Sequence, residues 1–175
     1  MTRRRFAAPV AALCLPLWLL LAGCSPKYNW RDYASPDAPY RVMFPAKPST
    51  FTRTIDLDGM PVAMTMTAAE IDGATFAVGA AEAPDAARAQ AALEAMQVAL
   101  VRNIGATVTS QKATADTDRA TRDVDASGTS NGARMHLVGH FEARGKRFYQ
   151  VIAIGKSDAL PAEQVEQFIT SFKLP

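Results

Sequence analysis

The chain has 175 residues, 49% of them hydrophobic and 21% charged, the balance of one globular domain with a single core rather than of a disordered tail. The formal charge is +2, but Arg3, Arg4 and Arg5 supply three of the 19 basic residues. Without them acids outnumber bases by one, which argues against a general electrostatic footprint for nucleic acid. Both cysteines, Cys14 and Cys24, lie near the start, so the body of the chain holds neither a disulfide framework nor a cysteine-rich metal site.

The three arginines precede an uncharged run from Phe6 to Ala22, interrupted by Pro9 and Pro16. The run is short for a spanning helix, which needs about 20 apolar residues. A basic start, an apolar stretch and small residues in that order form a secretory signal, here residues 1–23. The run ends in Leu21-Ala22-Gly23-Cys24, which resembles the lipobox of bacterial lipoproteins. The resemblance implies cleavage between Gly23 and Cys24, a diacylglyceryl thioether on the Cys24 thiol, and acylation (palmitate, for example) of the freed amine. Two or three acyl chains give stable membrane anchoring, at about 0.8 kcal/mol per buried methylene. Ser25, following the cysteine, favours the outer membrane facing the periplasm under the sorting rule of such lipoproteins. Thr2-Arg3-Arg4-Arg5-Phe6 also looks like the start of a twin-arginine signal, whereas Leu17-Trp18-Leu19-Leu20-Leu21 favours the ordinary secretory route.

Residues 24–39 read as the lipidated cysteine and a tether, because three prolines and no periodicity argue against a core element. The fifteen residues 25–39 reach at most about 50 Å when extended. Tyr28, Trp30 and Tyr33 suit either the lipid headgroup region or packing back onto the domain.

From Tyr40 the pattern has period two, and residues 40–175 read as a single α+β domain. Tyr40, Val42 and Phe44 alternate with polar or smaller neighbours until Pro45. Phe51–Leu57, Val62–Ala68 and Phe76–Ala80 follow as strands, joined by the hairpin signals Asp58-Gly59 and Asp72-Gly73. Asp85 is a plausible N-cap for a helix carrying Leu93, Met96, Leu100, Val101 and Ile104 at helical spacing and stopping at Gly105. Thr107–Ala115 and Arg119–Ser127 are more polar strands. Asn131-Gly132 opens a further hairpin into Met135–Glu142, and Arg144-Gly145 turns the chain again. Phe148–Ile154 is nearly all apolar, which predicts a central strand covered on both faces. A last helix over Pro161–Phe172 places Val165, Phe168, Ile169 and Phe172 on one stripe.

This order of elements resembles the PsbP-like fold. The likeness rests on the opening strand ending in Phe44-Pro45-Ala46-Lys47-Pro48, the hairpins, the mid-chain helix, and the near-terminal strand with Tyr149. The closing Phe168-Ile169-Thr170-Ser171-Phe172-Lys173-Leu174 completes it. The resemblance implies an antiparallel sheet of hairpins with helices packed on its faces, in a group whose members are mostly non-enzymatic assembly factors, binding modules and exported lipoproteins.

No nucleophile elbow, phosphate loop or dinucleotide fingerprint is present. His136 and His140 share a strand face, but four residues separate their Cα atoms by about 13 Å, too far for one ion between them. His140 and Glu142 are nearer, without a visible third ligand, so neither a metal nor a cofactor is expected. Asp116, Asp118, Asp123 and Asp125 lack the glycine and terminal glutamate of a calcium loop. They read as a solvated strand face neutralised by Arg119 and Arg122. Arg144, Lys146 and Arg147 form a basic hairpin tip, either a solvated turn or a contact for anionic phosphates. The expected function is therefore a non-catalytic binding or accessory module held at the membrane through Cys24. Its partner is an unidentified protein or small molecule, and its candidate surface is His136, His140, Glu142, Arg144 and Arg147. The alternative is an envelope hydrolase using the region of His140 and Glu142.

Overall fold

In the computed structural model, which describes residues 27–175, the first element is one the sequence does not announce. Arg31–Ala34 (β1) pairs antiparallel with Arg41–Phe44 (β2), with Tyr33 opposite Val42. The described part of the expected tether is thus docked, and the expectation of no element before Tyr40 is corrected. The cause is aromatic packing rather than periodicity. The Tyr33 ring lies 5.6 Å from that of Phe44, edge-on, and Trp30 packs against the same core. Of the two roles open to these aromatics, the structure favours packing onto the domain for Trp30 and Tyr33.

The seven remaining strands form one antiparallel sheet. They are Ser49–Leu57 (β3), Met60–Ile71 (β4), Ala74–Glu82 (β5), Ala106–Ala115 (β6), Arg119–Ser130 (β7), Ala133–Arg144 (β8) and Arg147–Lys156 (β9). Their spatial order is β3-β4-β5-β9-β8-β7-β6. The turns Asp58-Gly59, Asp72-Gly73 and Asn131-Gly132 have both residues at positive φ, the mirror-image geometry that matches the twist of paired strands. Gly128 has a different task. A Cβ there would meet the Ala106 Cα and the Gly105 carbonyl oxygen at 2.5 Å, so only glycine lets the start of β6 lie against β7.

Helix Ala86–Asn103 (α1) crosses from the end of β5 to the start of β6 and covers one face of the sheet. Its Leu93 and Met96 pack with Val62, Met64, Phe141, Phe148 and Ile152. Its first turn is closed as expected: the Asp85 carboxylate accepts from the Arg88 backbone N–H at 2.8 Å. Asp85→Ala is expected to lower unfolding stability by about 1 kcal/mol in urea melts, with the slope unchanged. The second face is covered by the β1–β2 ribbon and by helix Ala162–Ser171 (α2), which follows a 3-10 turn at Ser157–Ala159. Val165, Phe168 and Phe172 are buried there against Val42, Phe44, Phe76 and Val151, and Ile169 is half-buried. The apolar run Phe148–Ile154 occupies the middle of the sheet, with Phe148 and Ile152 facing α1 and Tyr149 and Val151 facing α2. The result is the expected α+β class: a sheet of hairpins with helices on both faces.

Candidate functional site

The turn at Asn131-Gly132 fixes the pairing of β7 with β8, and that register sets Asp123 opposite His140 and Thr121 opposite Glu142. Directly opposed residues project from the same face, here the face that carries α2. His140 Nδ1 lies 2.6 Å from Asp123 Oδ1, and its Nε2 lies 3.4 Å from Glu142 Oε2. Glu142 also accepts from Arg119 Nε at 2.8 Å. Phe172, just beyond α2, packs near the imidazole with ring centroids 6.2 Å apart.

Burial by itself would push His140 toward its neutral form. The hydrogen bonds to Glu142 and Asp123 outweigh it and hold the pKa above the usual imidazole value. Glu142 is the mirror case: its side chain is only 8% exposed, and burial works against its charge. The bonds to His140 and Arg119 prevail and hold its pKa below the usual carboxylate value. The group is an alternating chain of charges, Asp123–His140–Glu142–Arg119, strung across the two strands.

This chain forms the floor of a groove of about 550 Å³. Arg144 closes one side, and its Nη1 donates to the main-chain oxygen of Pro175 at 2.5 Å. The segment Phe172–Leu174 forms a further wall, and its Lys173 adds an ammonium group. That wall is held by a two-way backbone pairing, in which Arg41 and Lys173 each donate an N–H to the other's carbonyl at 2.9 Å.

Three of the expected surface residues, His140, Glu142 and Arg144, come together here. His136 does not: its Nε2 lies 3.0 Å from Asp125 Oδ1, nearer the Asn131-Gly132 turn, and it does not line the groove. Nor does Arg147, which reaches Glu82 at 3.8 Å and lines a smaller pocket of about 170 Å³ beside Tyr40 and Tyr149. Of the candidate set, the groove thus gathers three residues and leaves His136 and Arg147 apart from it. Three charged groove residues lie outside that set: Arg119, Asp123 and Lys173. The expectation that Arg119 and Arg122 neutralise a solvated acidic face also fails. Arg119 turns to Glu142, and Arg122 points to the α1 face, where it pairs with Glu94 at 2.9 Å. Counting back from Asn131-Gly132 would have placed Asp123 beside His140. The wall from the end of the chain carried no such signal. Gly23 and Cys24 lie outside the described residues.

The two carboxylates sit on opposite nitrogens of the imidazole, so the three side chains do not converge on one point. Among the described residues no three histidine, cysteine, aspartate or glutamate side chains are placed to hold a metal ion. Among them, too, no helix is long and apolar enough to cross a membrane. No protein-family model matches the chain, nor does any curated protein.

Proposed function

We propose that the chain is a bacterial envelope lipoprotein, acylated on Cys24 and held at the outer membrane facing the periplasm. We further propose that its domain is PsbP-like and acts as a non-catalytic binding module whose site is the groove between β7, β8 and Phe172–Leu174. The reading of the domain is supported by the order of its hairpins and helices. The reading of the anchor is supported by Leu21-Ala22-Gly23-Cys24 after a basic and apolar leader. The observation that carries the binding role is the charge of the groove. Arg119, Arg144, Lys173 and a His140 whose pKa is raised stand against Asp123 and Glu142. The surplus is positive, so the ligand is an anion, presenting a carboxylate or phosphate to the guanidinium N–H groups that Arg119 and Arg144 do not give to Glu142 and Pro175. Both imidazole nitrogens are already engaged, which leaves His140 to hold charge rather than to accept a proton from a nucleophile.

Native mass spectrometry of the domain, exported to the periplasm from Ser25 onward, tests the binding role. A reproducible extra mass that denaturation removes, and that Arg144→Ala loses, is the expected result. A mass that survives Arg144→Ala would move the site elsewhere, and a bare chain would turn the proposal toward a protein partner. For the anchor, Cys24→Ser is expected to release the full chain from the membrane fraction.

A further inference from the structure

The chain is fixed to the domain almost from the first described residue. Lys27 Nζ lies 3.0 Å from Asp72 Oδ2, and the Asn29 N–H donates to the Pro45 carbonyl at 2.8 Å. Tyr28 stacks on Trp30 with centroids 6.4 Å apart, and β1 begins at Arg31. Only three residue steps separate Cys24 from Lys27, a reach of at most about 11 Å even when fully extended. The reach of about 50 Å expected for a free tether is therefore not available to the acylated chain while this segment stays docked.

The docking point also has a definite place in the sheet. Asp72 sits in the β4–β5 turn, and the strand register carries that end across the sheet. Ala74 pairs with Gly155, Gly155 with His136, and His136 with Ser127. The same end therefore carries Ser157–Ala159 and the Asn131-Gly132 turn. The groove belongs to the other half. Arg119 and Arg147 both pair with Arg144, and the basic turn at Gly145-Lys146 lies beyond them. His140 is seven residues along β8 from Ala133, about 23 Å at 3.3 Å per residue.

Resting on the reading that Cys24 is the lipid anchor, we infer that the protein stands on its bilayer on the Asp72 end of the sheet. It presents the groove and the basic β8–β9 turn away from that bilayer, to a water-soluble anion rather than to the phospholipid headgroups beneath it. Chain length sets this posture, not attraction to lipid. At the membrane end exposed Lys47, Arg134 and Lys156 are interspersed with exposed Glu70, Asp158 and Glu163. The posture is accordingly the same on zwitterionic as on anionic lipid.

The test uses the full-length chain, exported and processed in bacteria, purified in detergent and reconstituted into phosphatidylcholine vesicles whose headgroups carry a fluorescence quencher. Acylation occupies the Cys24 thiol, so Ser157→Cys and Thr117→Cys each introduce a single labelling site, one exposed at either end of the sheet. A fluorophore at position 157 is expected to be quenched severalfold more than one at 117. A flexible glycine-serine spacer inserted between Pro26 and Lys27 is expected to equalise the two while the protein still floats with the vesicles. Equal quenching without the spacer, or stronger quenching at 117, would overturn the posture while leaving the anchor in place. If intact-mass measurement finds no acyl chains and the protein does not float, the anchor itself fails, and the posture with it.

Discussion

Phe168→Ala is expected to cost about 3–5 kcal/mol of unfolding stability, the usual range for removing a fully buried aromatic ring. Phe168 is 0% exposed, and its ring lies 5.5 Å from Phe44 and 5.4 Å from Phe76. It therefore joins three separate pieces of structure: α2, the β1–β2 ribbon and the main sheet. The cavity would have Phe44 and Phe76 as walls, each fixed by its own strand, so little collapse is available to relieve it. For a domain of this size the loss corresponds to a fall in melting temperature of roughly 6–20 °C, taking about 2–4 °C per kcal/mol. Thermal denaturation followed by circular dichroism checks it. A fall of only a degree or two would mean that α2 is not seated as described.

The second expected result is a stability maximum in mild acid, produced by His140 and Glu142. The folded state raises the His140 pKa, so its contribution is complete below the unfolded value of about 6.5 and is lost as pH rises through the higher folded value. The folded state lowers the Glu142 pKa. Its contribution is present above the unfolded value of about 4.3 and is lost as pH falls through the folded one. Both contributions are complete only between those two unfolded values. Melting temperature measured from pH 4 to 9 should thus peak near pH 5–6, and His140→Gln should remove the decline on the alkaline side. An alkaline decline unchanged in that variant would assign it to another group. Glu142→Gln leaves His140 and Arg119 without their shared partner and is expected to cost about 1–3 kcal/mol at the peak.

The elements most plainly written in the residues are those set by local rules. Asp58-Gly59, Asp72-Gly73 and Asn131-Gly132 announce their hairpins because few residue pairs tolerate two consecutive positive φ values. Asp85 announces a helix start, and the run Phe148–Ile154, apolar but for Gln150, announces a strand buried on both sides. What local pattern does not carry is any element held by distant contacts. The β1 strand is four residues of Arg-Asp-Tyr-Ala, without alternation, and it exists because Tyr33 and its neighbour Trp30 find a core formed by residues far along the chain. The groove divides in the same way. His140 and Glu142 are visible together at a spacing of two, and Asp123 follows from hairpin register. Lys173 and Phe172 arrive only through the docking of α2.

The strand order carries a further consequence, for the sequence of events in which the molecule assembles. The meanders β3-β4-β5 and β6-β7-β8-β9 can each form from neighbouring residues, hairpin by hairpin. Their only shared seam in the sheet is β5 with β9, where Ala74 meets Gly155 and Glu82 meets Arg147. Arg41 then waits still longer, for Lys173. Closing such loops costs chain entropy before any contact rewards it, which makes long-range β pairing slow. While the chain emerges residue by residue, neither the seam nor the groove wall can form until almost all of it has appeared. Native structure is thereby postponed until β9 and the Lys173 segment are both present, and until then the two meanders lack the seam that makes them one sheet.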